Sequence, residues 1–384
     1  MRQLMPAEWE PHSACLLLCP HNAATFRLVD VEAEFLNVVR AIVTQGHEKV
    51  VLGCFNEEQC VQYRKLTADL GEMVYCVVCP SNDSWARDTA PTFVITRPSN
   101  MQQENSLVAL DWDFNAYGGP NDGCYWPCEQ DRLVASTLTR TLMEDTKLVP
   151  SDTTTESIPL VLEGGSIHTD GQGTLLTTAE CLLNKNRNPD KSQAEIERIV
   201  LQATGCTKMI WLDYGLASDD DTNGHVDNWA CFVQPGHVVL AWTDDETNQG
   251  ENYRRCRHSL AQLESATDAR GHTLTIHKLY LPDPMFYTDE EIESLTVKTP
   301  TADNPAIVEP RQVGEALAGS YVNFYIANQA VVVPQYGDLV HDAKALETLR
   351  PLFPNREVVG VATREILIGG GNIHCITQQV PRLS

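Results

Sequence analysis

Basic residues are scarce in this sequence. Its 384 residues hold 28 Lys and Arg against 52 Asp and Glu, a formal net charge of -24. A chain so short of cations is poorly suited to neutralise phosphates, which argues against nucleic acid and anionic membranes as partners. Long hydrophobic runs are missing too. Stretches such as Val238–Trp242 and Ala330–Pro334 are of strand length and cannot span a bilayer. Between Met1 and Pro20, Arg2, Glu8, Glu10 and His12 leave no basic stretch followed by an apolar run, so no leader peptide is expected and a cytoplasmic protein is. No linker, charge block or low-complexity tract divides the chain, and a single domain over 1–384 is expected. Gly369-Gly370-Gly371 lacks the Lys-Ser or Lys-Thr of a phosphate-binding loop, and no G-x-G-x-x-G opens a helix. The Cys76/Cys79 pair lies in a run, Met73–Pro80, that reads as a buried strand. Cys15/Cys19 and Cys124/Cys128 lack a matching histidine pattern. Neither a metal nor a cofactor is expected.

What is present is a core and a repeat. Hydrophobic residues make up 42% of the chain, and its 13 cysteines read as reduced, mostly buried thiols. Apolar spacing predicts helices over Val31–Gln45, Asn56–Leu70, Glu129–Glu144, Gln193–Ala203 and Thr247–Thr267. Strand-like runs follow at Lys49–Cys54, Met73–Cys79, Met209–Leu212, Leu274–Tyr280 and Glu357–Val361. Hairpins are predicted for Pro91–Thr96 with Leu107–Leu110, Ser166–Thr169 with Thr174–Thr177, Trp229–Val233 with Val238–Ala241, and Tyr321–Ile326 with Ala330–Pro334. Ser151–Ser157 reads as a polar loop, and the proline-rich Leu281–Pro310 as a long irregular excursion. Hairpin, helix and strand thus recur in order. Such repeats close radially and bind ligands at their axis, so a closed ring of α/β modules is expected rather than a doubly wound sheet.

Polar residues recur where these modules open: Trp85-Ala86-Arg87-Asp88, Leu162-Glu163-Gly164-Gly165, Asn223-Gly224-His225-Val226-Asp227-Asn228, Ser320-Tyr321-Val322-Asn323 and Gly369-Gly370-Gly371-Asn372-Ile373-His374-Cys375. In a closed ring, equivalent positions face the axis. That would gather Asp88, Glu163, His225, Asp227 and Cys375 in one pocket. A cysteine thiolate is a nucleophile, a histidine moves protons, and a glutamate can orient the histidine. Asp88 and Asp227 are then surplus, and they oppose thiolate formation unless the substrate brings positive charge. A planar guanidinium does so and pairs with carboxylates in bidentate fashion.

These stretches, with Met5-Pro6-Ala7-Glu8-Trp9 and the continuation Ile376-Thr377, resemble the agmatine deiminases of the guanidine-modifying pentein superfamily. The likeness runs from Met5 to Pro381. It implies the pentein fold, a five-fold pseudosymmetric α/β propeller of ββαβ modules around a central site. It implies a hydrolase that converts agmatine to N-carbamoylputrescine and ammonia through a covalent thiouronium, in putrescine and polyamine synthesis, without cofactor or metal. Cys375 would be the nucleophile and His225 the acid and base, with Glu163 supporting His225 and Asp88 and Asp227 holding the guanidinium. Asp221, in Asp219-Asp220-Asp221, would meet the terminal amine, and Trp85 would pack on the methylenes. A homo-oligomer is also implied. Three alternatives stay open: a deiminase of arginine or peptidylarginine, a transferase passing the carbamimidoyl group to an amine, and a non-catalytic polyamine-binding protein.

Overall fold

A computed structural model describes residues 2–98, 104–295, 307–308 and 310–383. Five sheets repeat one pattern: a strand pairs antiparallel with the next, a helix crosses over, and a third strand pairs parallel with the second. In the first module these are Thr92–Arg97, Ser106–Asp113, the helix Val134–Glu144 and Thr154–Val161, with Arg2–Leu4 added at the edge. The second runs Ile167–Thr169, Thr174–Thr178, helix Gln193–Thr204 and Lys208–Leu212. The third runs Ala230–Gln234, His237–Trp242, helix Gly250–Ser265 and Thr275–Tyr280. Tyr325–Ile326, Ala330–Gln335, helix Leu339–Leu349 and Glu357–Ala362 form the fourth. The fifth joins distant segments: Thr377–Pro381 pairs antiparallel with His12–Leu18, followed by helix Leu28–Thr44 and Val50–Cys54, with Val74–Val78 added in parallel.

The crossover helices explain why the modules form a ring. Each fills the gap between its own sheet and a neighbour's. Val134, Leu138 and Leu142 share a core with Leu16, Leu18 and Val51 of the fifth sheet. Ile196, Val200 and Ala203 pack with Leu110, Ile158 and Leu160 of the first. Gly250–Ser265 packs on Lys208–Leu212, Leu339–Leu349 on Thr275–Tyr280, and Leu28–Thr44 on Ala330–Gln335 and Glu357–Ala362. Each enclosed leucine or valine contributes about 1.5–3 kcal/mol of burial free energy, and each module depends on the next to supply it. Local signals agree with this packing. Ser192 and Glu195 form a reciprocal capping box, and Gly205 ends that helix at φ 71°.

The ring of ββαβ modules expected from the sequence is the fold observed. Four details differ. Ser151–Thr153 is a turn, as expected, but Thr154 onward forms the third strand of the first module, whose polar residues are exposed. The helix Leu339–Leu349 was not anticipated. Its first residues, Leu339 and Val340, are apolar but exposed, so its burial pattern is blurred. Only Tyr325–Ile326 of the predicted Tyr321–Ile326 strand is paired. Within Leu281–Pro310, a short helix at Asp289–Ser294 is capped by Thr288 and Glu291, and Ile307–Val308 pairs with Tyr125–Trp126. Residues 296–306 and 309 lie outside the described residues.

The five polar motifs occupy one structural position. Asp88 stands just ahead of the strand Thr92–Arg97, Glu163 ahead of Ile167–Thr169, Asp227 ahead of Ala230–Gln234, Asn323 ahead of Tyr325–Ile326, and Cys375 ahead of Thr377–Pro381. Each is therefore carried to the same end of a module.

Candidate active site

Gly165 marks the point where three motifs meet. A Cβ there would lie 2.7 Å from His225 Nδ1, 2.8 Å from Asp227 Oδ2 and 3.1 Å from Asp88 Oδ1, so only glycine permits the approach. Its amide donates to Asp88 Oδ1 (2.9 Å), and the Tyr117 hydroxyl donates to Asp88 Oδ2 (2.9 Å). Burial raises the Asp88 pKa to about 6; His225 pulls it down and Asp227 pushes it up.

Cys375 is 4% exposed, and its thiol faces Asp227 Oδ2 at 3.6 Å. Asn323 clamps the loop. Its side-chain oxygen accepts from the His374 amide (2.9 Å), and its Nδ2 donates to Cys375 Sγ (3.1 Å) and Asn228 Oδ1 (2.9 Å). Burial, then Asp227 and Asp88, raise the thiol pKa well above the ordinary cysteine value. An empty pocket therefore keeps the thiol protonated, and a cation between the aspartates would favour the thiolate.

His225 is completely enclosed. Its Nδ1 lies 4.0 Å from Asp88 Oδ1 and its Nε2 3.7 Å from Glu163 Oε2. Burial opposes charging it, but Cys181, Asp88 and Glu163 raise its pKa above the ordinary histidine value. Its amide donates to Asp219 Oδ2 (3.1 Å), which also accepts from Thr222 Oγ1 (2.6 Å) and Asn228 Nδ2 (3.0 Å). Asp219 is thus the scaffold of the histidine loop. Glu163 Oε1 accepts from Arg187 Nε at 2.6 Å inside the protein. Burial works to raise the Glu163 pKa, but Arg187 and His225 outweigh it and hold it at about 2.

Beneath the pocket runs a chain of paired polar groups. His374 Nδ1 lies 2.9 Å from Asp227 Oδ2, and its Nε2 lies 3.0 Å from Glu8 Oε1, which also accepts from Arg87 Nη1 (3.0 Å). Burial and Arg87 work to lower the His374 pKa, but Glu8 and Asp227 outweigh them and raise it. Asp227 Oδ1 is left without a partner.

The pocket above this floor has Trp85, Asp88, Tyr117, Asp221, Arg311 and Cys375 among its walls. All five core residues expected from the motifs come together, and Trp85 joins them. Asp221 also reaches the pocket, but it is not free: the Arg311 guanidinium is hydrogen-bonded to it. Arg87 points to the floor, toward Glu8. Sequence reasoning assigned no role to Glu8 and His374, although both lie in the quoted motifs. Arg187, Cys181, Tyr117 and Arg311 carried no signal, since each comes from a segment unlike the repeated motifs. Among the described residues, three groups have the donor atoms for a metal ion: Glu8/His168/His374, Glu163/Cys181/His225 and Asp283/Asp338/His341.

A family model described as Porphyromonas-type peptidyl-arginine deiminase matches residues 4–381. The agmatine deiminase of Medicago truncatula is 44% identical over 382 residues, spanning 99% of this chain and 96% of its own. That of Pseudomonas aeruginosa is 43% identical over 380 residues, spanning 98% and 95%. Among solved structures, agmatine deiminase of Enterococcus faecalis superposes with a TM-score of 0.83 at 35% identity, covering 99% of this chain and 96% of that one.

Proposed function

The chain belongs to the Porphyromonas-type peptidyl-arginine deiminase family, and from that premise we propose that it hydrolyses agmatine to N-carbamoylputrescine and ammonia. The observation that carries this reading is the position of the Cys375 thiol beside two aspartates, in a pocket where only a cation relieves their repulsion. The guanidinium lies between Asp88 and Asp227, using the open Oδ1 of Asp227. Its charge lets Cys375 release its proton to solvent. The thiolate adds to the guanidine carbon, forming a C–S bond and a tetrahedral adduct. His225 protonates one nitrogen, the C–N bond breaks and ammonia leaves, giving an S-alkylthiouronium. His225 then takes a proton from water, whose oxygen attacks the same carbon. The C–S bond breaks, Cys375 is freed, and the urea product departs. Glu163, fixed by Arg187, orients His225 through both steps. Trp85 covers the methylene chain.

Arg311 favours a second reading. A cation lining the pocket could receive the carboxylate of free arginine, if Asp221 released it. Ammonia release from agmatine and from arginine, side by side, decides between them. Turnover of agmatine alone, abolished in Cys375→Ala, is the expected result; turnover of arginine alone would establish the second reading. Covalent labelling of Cys375 by a haloacetamidine tests the nucleophile directly, and an unlabelled thiol would remove it from the mechanism.

A further inference from the structure

Behind His225 lies a constellation that the reaction does not fully use. Cys181 sits on the short helix Ala179–Leu182, which Thr178 ties to the histidine loop by donating to Gly224 O (2.6 Å). This brings Cys181 Sγ, a carboxylate oxygen of Glu163 and a ring nitrogen of His225 within 4.8 Å of one another, all three residues buried. Two atoms facing this space, Glu163 Oε2 and His225 Nε2, have no hydrogen-bond partner. Their separation of 3.7 Å is too long for a hydrogen bond. It is close to the spacing of two ligands that each lie about 2.0–2.2 Å from one zinc ion. The surrounding groups suit that ion as well. Arg187 fixes the other oxygen of Glu163, as outer-shell partners do behind metal-binding carboxylates. The other buried group, Glu8/His168/His374, has its Glu8 and His374 atoms engaged in hydrogen bonds.

We propose that Glu163, Cys181 and His225 form an inhibitory binding site for a thiophilic divalent cation, zinc by the chemistry of its donors. One thiolate, one imidazole and one carboxylate favour zinc over magnesium or calcium, which prefer oxygen. On binding, the Cys181 thiol and His225 Nε2 give up their protons to solvent, and Nε2 donates its lone pair to the ion. His225 can then neither accept nor deliver a proton, so turnover stops while the guanidinium subsite in front stays open. The inhibition rests on the role proposed above for His225; the binding does not.

Two measurements separate these parts. Binding is read on the Cys375→Ala protein, which needs no activity, by X-ray absorption after loading with zinc. A first shell of one sulfur with nitrogen or oxygen neighbours is expected; a shell without sulfur overturns the site. In the same background, Cys181→Ser should abolish the sulfur-to-metal charge-transfer absorption of bound cobalt, and a band that persists overturns it too. Inhibition is read on the enzyme with Cys375 intact. Zinc should lower kcat at unchanged KM for agmatine, reversibly with chelator. In Cys181→Ser, measured against its own zinc-free rate, half-inhibition should need at least about tenfold more zinc. Competitive inhibition equal in both proteins would place the ion on Cys375 and overturn the proposed inhibitory site. A one-sulfur site that leaves turnover unaffected would retain the binding and overturn the inhibition along with His225 as the acid and base.

Discussion

Glu48 faces His12, and Glu163 faces His225, both pairs fully enclosed. At Glu48 both oxygens are taken. Oε1 accepts from the Tyr325 hydroxyl (2.6 Å), Oε2 from the Asn328 amide (2.9 Å), and both lie 3.1 Å from His12 Nδ1. Asn328 also bonds the His12 backbone in both directions, leaving only His12 Nε2 without a partner. At Glu163 one oxygen is satisfied by Arg187, while the other, both His225 nitrogens and the nearby Asp227 Oδ1 stay open. Residue type and burial are the same in the two clusters; unfilled hydrogen-bonding capacity is not. Leaving a buried polar group unpaired costs about 1–3 kcal/mol, which a fold tolerates where a ligand completes the set. The first cluster ties two modules together, and the second keeps polar atoms available for a ligand.

Substitutions at the two histidines put the sharpest strain on this contrast. His225→Ala should lower kcat by about a hundredfold or more, the usual effect of losing an acid–base group, with little loss of stability. His12→Ala should do the reverse, lowering the unfolding free energy by about 1–3 kcal/mol in denaturant titration while kcat stays within about twofold. Similar kinetic losses in both would erase the distinction.

The next test concerns charge. Asp88 must be ionised to hold a guanidinium, and its pKa is raised to about 6. As pH falls through that value, kcat/KM for agmatine should fall, approaching tenfold per unit. Asp88→Asn should raise KM strongly and remove this acid limb; a limb that persists unchanged would assign it to another group. The smallest effect is expected from Tyr117→Phe. Losing its hydrogen bond to the ionised Asp88 should move the limb upward by less than about one pH unit, with the alkaline rate nearly intact. No movement would show that the hydroxyl does not tune the aspartate.

The site was more legible in the sequence than the scaffold that holds it. Five polar motifs stood out because each precedes the first strand of a module, so one structural position is written five times. Arg187 was not legible: it lies in Asn184-Lys185-Asn186-Arg187-Asn188, where nothing in the spacing shows that its guanidinium turns inward to Glu163. Asp221 shows the converse. Its place near the pocket could be read from the loop, but its pairing with Arg311 joins segments that no local pattern connects. The strand from Thr154 escaped because its exposed threonines give the composition of a loop, and a parallel neighbour rather than hydrophobicity makes it a strand. The fifth module was hidden for the same reason, since its hairpin has no turn.

That missing turn sets an order of events in the making of the protein. The Cys375 loop leads directly into Thr377–Pro381, which finds its partner in His12–Leu18. A ribosome delivers that loop after every other motif, so a growing chain carries Asp88, Glu163 and His225 before it has Cys375. Pairing of Thr377–Pro381 with His12–Leu18 closes the fifth module and fixes the Cys375 loop through the same contact. The fold therefore completes its ring and its pocket through one strand pair.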